Sequence, residues 1–306
     1  MDLVTTAIAP IVLLLSLGAL LRRRFVTDAG FWRGLEWFSY HVFTPALFVT
    51  SIARTDLTIV PIGSLALSLA VPIIAVAALV VALRRPLRAD GPRLSSMVQG
   101  SIRFNTYIGL IFAQALHGEA GIATFALACA VVVPLVNVIS VTSLATYGTA
   151  TSGARRPLWR ELTANPLIQG CAAGLALNLT HVALPAFLSE TLGMLAEPAL
   201  VCGTLIAGAA MHGRLTRSDA IDIGLTSVLK LAALPLAAAT LATAVGITGA
   251  TLTSIVLICA VPTPPSAYVL ASRLGGDTRL MASITGAQTV LSMVALPVVL
   301  GLSQRL

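Results

Sequence analysis

Charge is scarce in this sequence. Asp, Glu, Lys and Arg make up 10% of its 306 residues, against about a quarter in a soluble domain. So few charged side chains cannot coat a water-soluble globule of this length. A disordered chain, which needs many charges and little hydrophobicity, is excluded as well. Cysteine is sparse: Cys129, Cys171, Cys202 and Cys259 lie far apart in apolar runs, so no disulfide framework or metal spacing is visible. No nucleophile–His–acid set, metal motif or glycine-rich phosphate loop stands out, so the sequence calls for no enzyme, cofactor or metal. Lacking a nucleotide-binding motif, it does not read as a pump. The isoelectric point is high, about 9.9, but the basic residues sit in short clusters between apolar runs, which points away from nucleic acid.

What the chain has is apolar length. Hydrophobic residues make up 57% of it and mean hydropathy is +0.94, the composition of an all-α polytopic membrane protein in a lipid bilayer. A helical span needs ~20 mostly apolar residues. Ten segments qualify: 3–21, 35–53, 60–83, 96–116, 120–146, 165–183, 191–211, 222–246, 250–272 and 279–301. They are continuous and too long for the alternating ~10-residue strands of a β-barrel.

With the N-terminus outside, 15 of the 19 basic residues face the cytoplasm, Arg54 and Arg305 face outward, and Arg103 and Lys230 fall inside spans. That split predicts both termini outside, and Trp32, Trp37 and Trp159 then lie on the inner side as headgroup anchors. The first span carries no positive charge before it and three arginines, Arg22 to Arg24, after it, unlike a signal peptide.

The second half echoes the first. Pro10 and Gly18 in span one are eight residues apart, as are Pro166 and Gly174 in span six; Pro45-Ala46-Leu47 in span two matches Pro198-Ala199-Leu200 in span seven. A five-span unit is odd-numbered, so its second copy enters the membrane upside down. Inverted repeats of this kind build secondary transporters, with the substrate site near mid-depth where the copies meet. The expected organisation is a first repeat over 1–147, a cytoplasmic linker over 148–164 and a second repeat over 165–306.

Span nine contains Val261-Pro262-Thr263-Pro264-Pro265-Ser266-Ala267-Tyr268 near its centre. Three prolines in four residues remove three backbone donors and clash with the preceding turn, so no regular helix passes through. The freed carbonyls must find partners or line a wet cavity. A half-helix starting near Ser266 would aim its positive end at mid-depth, which suits a carboxylate. A bent helix healed by its neighbours is the plainer alternative. Span four holds the corresponding place, Arg103-Phe104-Asn105-Thr106-Tyr107-Ile108-Gly109, with polar groups and a glycine but no proline.

The run from Arg103 to Gly121, including Asn105-Thr106-Tyr107 and Leu116-His117-Gly118-Glu119, resembles the auxin efflux carrier family. So do Asn165-Pro166-Leu167-Ile168 and the block from Pro262 through Leu274-Gly275-Gly276-Asp277, followed by Thr289, Ser292 and Pro297. The likeness covers essentially the whole chain. That family, within the bile acid/sodium symporter-like inverted-repeat superfamily, implies ten transmembrane helices in two inverted five-helix repeats, with helices 4 and 9 crossing as broken helices. It implies a scaffold of helices 1, 2, 6 and 7, and a transport domain of helices 3–5 and 8–10 that moves as an elevator. Its substrates are organic anions, including auxins in plants and malonate or malate in bacteria. The chain lacks the long central hydrophilic loop of many plant members, and span three carries no ionisable residue, so a bacterial inner-membrane member is the closer match.

Charges within spans cost ~2.5–3.5 kcal/mol on insertion scales and need a reason. Arg103 is either a partner for a substrate carboxylate, its fork fitting two oxygens, or a side chain that snorkels to the inner headgroups or bonds freed carbonyls at the crossing. Lys230 balances anion charge, holds the crossing, or snorkels. Glu197 and His41 are candidates for proton coupling, each with a bland alternative as a satisfied packing residue. Asn137, Gln288 and Thr289 serve equally well as interhelical glue or as ligands. The substrate-binding set expected is Arg103, Asn105, Thr106, Tyr107, Asn137, Pro264, Pro265, Ser266, Tyr268, Gln288 and Thr289, for a small organic anion carried by alternating access. A non-transporting membrane sensor or interaction protein is the rival, and a homodimer is one option for assembly.

Overall fold

The computed structural model describes residues 9–54, 62–149, 160, 163–182, 184–209, 219–264 and 266–303. Pro265, Arg155, Arg156, Trp159, Arg214, Arg217, His212, Arg305 and most of the linker 148–164 lie outside the described residues. Among the described residues there is no strand. Helices follow in the order α1 (Ala9–Leu20), α2 (Ala29–Phe38), α3 (Thr44–Ala53), α4 (Ile62–Ala82), α5 (Gly91–Ile102), α6 (Thr106–Tyr147) and α7 (Pro166–Thr180). Then come α8 (Ala186–Ala196), α9 (Pro198–Ala209), α10 (Ala220–Val228), α11 (Leu234–Ala244), α12 (Gly249–Ala260), α13 (Ser266–Leu274) and α14 (Thr278–Ser303).

Many of the starts follow from capping side chains, which satisfy the orphan N–H groups of a first turn. Asp28 accepts from Gly30 and Phe31 N–H at 3.1 and 2.8 Å. Asp90 accepts from Arg93 N–H at 2.9 Å. Asn165 accepts from Leu167 and Ile168 N–H at 3.0 and 3.4 Å, with Pro166 in the first turn where its missing N–H costs nothing. Two of the prolines inside longer runs follow a widened turn. Pro45 and Pro235 offer no N–H to the preceding turn, and in each case one wide π-type turn comes just before, Ser39–Phe43 and Leu229–Ala233. Each turn closes through an i→i−5 bond, Thr44 N–H to Ser39 O and Leu234 N–H to Leu229 O.

Five helical stretches are long and apolar enough to cross a membrane: Ile62–Ala82, Gly91–Tyr147, Ala186–Ala209, Ala220–Ala244 and Thr278–Leu302. The second has 57 residues, which drawn straight would be ~85 Å long, nearly three times a bilayer core of ~30 Å. It is not straight. The backbone is extended at Arg103 (φ −71°, ψ 154°) and Asn105 (φ −85°, ψ 103°), and Gly118 (φ 57°, ψ −141°) turns the chain back. Gly118 is needed there because a side chain is strained at that φ. Beyond the turn, Gly121 packs on the Ala113 carbonyl, Gly109 on the Phe125 ring and Arg103 on Asn137, an antiparallel ladder.

Small residues set the closest helix contacts, as expected where lipid removes the hydrophobic drive between helices. A Cβ at Gly18 of α1 would overlap the Leu205 carbonyl of α9, and one at Gly208 would overlap the Leu15 carbonyl. A Cβ at Gly174 of α7 would likewise come within 3.0–3.1 Å of Ile52 Cβ and the Phe48 and Val49 carbonyls of α3. At one end of the helices Arg93 pairs with Asp222 and Arg279 with Asp219 (3.0 Å), joining α5, α10 and α14. Large apolar side chains such as Leu13, Phe187 and Val294, each about 70% exposed, form the outer face.

Candidate functional site

The two breaks expected from sequence meet. Asn105 N–H donates to Pro262 O at 2.8 Å, so the extended segment between α5 and α6 lies against the one between α12 and α13. Asn105 then opens α6: its Oδ1 accepts from Tyr107 and Ile108 N–H at 3.1 and 3.3 Å. Two new helices, α6 and α13, begin at the crossing, each with the positive end of its dipole there.

A buried knot fixes the crossing. Gln288 of α14 accepts from Thr263 N–H at 3.0 Å through Oε1, and its Nε2 donates to Gly100 O at 2.8 Å and Thr226 O at 3.3 Å. Thr263 Oγ1 lies 2.8 Å from Gln288 Oε1 and 3.0 Å from Gly100 O, with a proton for one of them. Gln288 and Thr263 are fully buried, and this one amide meets the Gly100 carbonyl near the end of α5, the Thr226 carbonyl and the Thr263 N–H. Lys230, also fully buried, donates from Nζ to Ile258 O at 3.0 Å. Ile258 belongs to the last turn of α12, where carbonyls lack helical partners and the dipole is negative, so the ammonium caps that end.

Beside the crossing is a cavity of about 130 Å³. Its walls are the α6 start (Arg103, Asn105, Thr106, Tyr107), the α13 start (Pro264, Ser266), Asn137 on the returning half of α6, Asn165 at the head of α7, and Glu36, Tyr40 and Thr44 on the run from α2 to α3. Leu167, Ile206 and Ala207 contribute apolar surface. Arg103 is half-buried: Nη1 donates to Asn137 Oδ1 at 3.1 Å and Nη2 reaches Ser266 Oγ at 3.5 Å. Its Nε is buried with no hydrogen-bond partner. Both side-chain partners are neutral, so among the described residues the guanidinium faces the cavity with its charge uncompensated by an ion pair. With ~10–15 Å³ of such space per water, the cavity has room for several waters or one small anion.

Seven of the residues expected from sequence therefore line one cavity: Arg103, Asn105, Thr106, Tyr107, Asn137, Pro264 and Ser266. Three others lie elsewhere. Gln288 has both amide hydrogens and its oxygen engaged in the knot, which leaves little for a ligand. Thr289 donates to Thr285 O at 2.7 Å within α14. Tyr268 is exposed and off the cavity wall, and Pro265 is not described. Of the coupling candidates, Lys230 is absorbed in the crossing. His41 is exposed, stacked on Trp37 with ring centres 4.7 Å apart.

Glu197, exposed, lines a second and larger cavity of about 1050 Å³ together with Arg54, Gln114, Glu119 and the turn from Gly246 to Thr251. The sequence reading missed Glu36, Tyr40 and Thr44, although their four-residue spacing puts three polar side chains on one face of a helical run.

The apolar helices and the buried polar crossing define a multi-pass membrane protein of the transporter class. The chain belongs to the membrane transport protein family, whose profile matches residues 3–300 and which includes the auxin efflux carriers. No curated protein matches it.

Proposed function

We propose that this chain is a secondary transporter of a small organic anion, a carboxylate such as malonate, malate or an auxin-like acid, working by alternating access. One observation carries it: the unneutralised Arg103 and the starts of two half-helices, at Thr106 and Ser266, converge on a single small cavity. A guanidinium fork and two helix N-termini are three independent attractions for a carboxylate. Asn137 and Asn105 add neutral polar groups that fix orientation.

In this reading ten passes form two inverted repeats over 1–147 and 165–306, with α5–α6 and α12–α13 as the crossing pair. Supporting it, Gly18 packs on Leu205 and Gly174 on Ile52, Phe48 and Val49; the first two contacts exchange when Gly18 is matched to Gly174 through the Pro-Gly echo and Ile52 to Leu205 through the Pro-Ala-Leu echo. The scaffold is passes one, two, six and seven, and the moving part is the rest. Glu36, Tyr40 and Thr44 then present the scaffold wall to a substrate held by the moving crossing. The protein sits in a bacterial inner membrane with both termini outside, and the larger cavity, walled by Arg54 and Glu119, opens to the outer side.

Counterflow in proteoliposomes tests the proposal. Vesicles preloaded with unlabelled malonate or malate should accumulate the labelled acid transiently, and Arg103→Ala should abolish this. Absence of counterflow for every carboxylate tried, with ligand binding retained, would instead indicate a membrane sensor.

A further inference from the structure

We propose that Glu36 is a protonation site for the anion, so that the Arg103 cavity takes up a carboxylate together with one proton. This rests on the anion-site reading above. Among the described residues the cavity wall holds one cation, Arg103, and one acid, Glu36. Glu36 is half-buried and makes no ion pair with Arg103.

Among the described residues the titratable groups near Glu36 are few. Tyr40 lies one turn on along its own helical run, and Arg33 most of a turn back, exposed. Tyr107, within electrostatic reach of Glu36, and Arg103 belong to the broken pass, and Cys202 is on the neighbouring α9. No second acid faces it from these elements.

A carboxylate drawn to Arg103 in so small a space comes close to Glu36, and two like charges in a low-dielectric site disfavour each other strongly. A proton on Glu36 removes that repulsion. It also converts the side chain from an acceptor alone into an O–H donor toward the incoming anion. The proton comes from the water that fills the cavity when it is open, and returns there when the anion leaves. None of the coupling candidates apparent in the sequence has this position: Lys230 caps α12, His41 is exposed, and Glu197 lies in the larger cavity.

The experiment measures the affinity of the purified protein for lactate and malate by thermal shift between pH 6 and pH 8, in wild type, Glu36→Gln and Glu36→Asp. Titration of the probe itself is common to all three and cancels. Wild type and Glu36→Asp should bind more tightly as pH falls, by up to about tenfold per unit for one linked proton. Glu36→Gln should lose that dependence and bind at pH 8 with an affinity near that of wild type at pH 6. The apo melting temperature of each variant checks folding.

A wild-type pH profile in Glu36→Gln overturns the proposal while leaving the anion site standing. L-alanine bound more tightly than lactate by wild type, with the preference lost in Glu36→Gln, also overturns it, because Glu36 then stays charged and receives an ammonium. No shift with any carboxylate in wild type, and no counterflow, removes the anion-site reading itself.

Discussion

Asn105 separates structure from binding because its two ends do different work. Its Oδ1 caps α6 through Tyr107 and Ile108 N–H, while Nδ2 remains as a donor at the cavity wall. Asn105→Ala removes both. The cap is worth ~1 kcal/mol, which for a chain of this size is a fall of roughly 2 °C in melting temperature. The donor to an anion is worth ~1.5–3 kcal/mol, a loss of about tenfold to a hundredfold in affinity. Asn105→Asp keeps the cap, since Asp and Asn are near-equal in that position, but replaces the donor with a negative charge. At ~5 Å from a bound carboxylate and an effective dielectric of ~20, that repulsion is ~3 kcal/mol. The expected pattern is therefore asymmetric: apo melting temperature lowered in Asn105→Ala and near wild type in Asn105→Asp, with anion affinity lowest in Asn105→Asp. Thermal melting with and without malonate or malate measures both. Wild-type affinity in Asn105→Asp would refute the placement of the anion, and an unchanged melting temperature in Asn105→Ala would refute the cap.

Other outcomes follow from single contacts. Arg103→Lys should weaken anion binding at least several-fold, because an ammonium cannot bridge Asn137 and Ser266 while presenting a fork; unchanged affinity would leave the helix ends as the binders. Gly18→Val should destabilise by ~1–3 kcal/mol, since its side chain meets the Leu205 backbone, which cannot turn aside; an unchanged melting temperature would show that α1 and α9 separate freely. Bonds from Gly30 and Phe31 N–H hold the Asp28 carboxyl below its usual 3.8, so its cap stabilises above that pH and is lost as pH falls through the lowered value. Asp28→Ala should therefore melt earlier than wild type at pH 7, with the gap closing in acid; a gap independent of pH would contradict this. A cysteine at Arg54 should react with an impermeant thiol reagent in intact cells and one at Arg88 should not; reversed labelling would invert the orientation.

The crossing was legible in the sequence because its signals are local. Proline removes donors wherever it stands, and Arg103 and Asn105 are conspicuous in an apolar run. Their meeting at Pro262 and the shared cavity then need only the fold. The roles of Gln288 and Lys230 were less legible, because which side chain satisfies a freed carbonyl depends on neighbours distant in sequence: Gln288 meets Gly100 across 188 residues and Lys230 meets Ile258 across 28. Glu36 was hidden differently. It lies at the edge of its span, where a carboxylate is unremarkable in composition, and only the three-dimensional arrangement turns it toward Arg103. His41, five residues further on, is exposed and stacks on Trp37, away from the wall of that cavity.

The Gln288 amide has a mechanical consequence. One side chain holds Gly100 of α5, Thr226 of α10 and Thr263 between α12 and α13, while itself belonging to α14. These elements are clamped like leaves on a common rivet. To slide one past another would strand buried donors and acceptors at ~1–3 kcal/mol each, so displacement is far cheaper as a block than piecewise. In the proposed alternating-access cycle, the cavity's cation and both helix starts would then move with that block, and the anion need not be handed from one set of groups to another on the way.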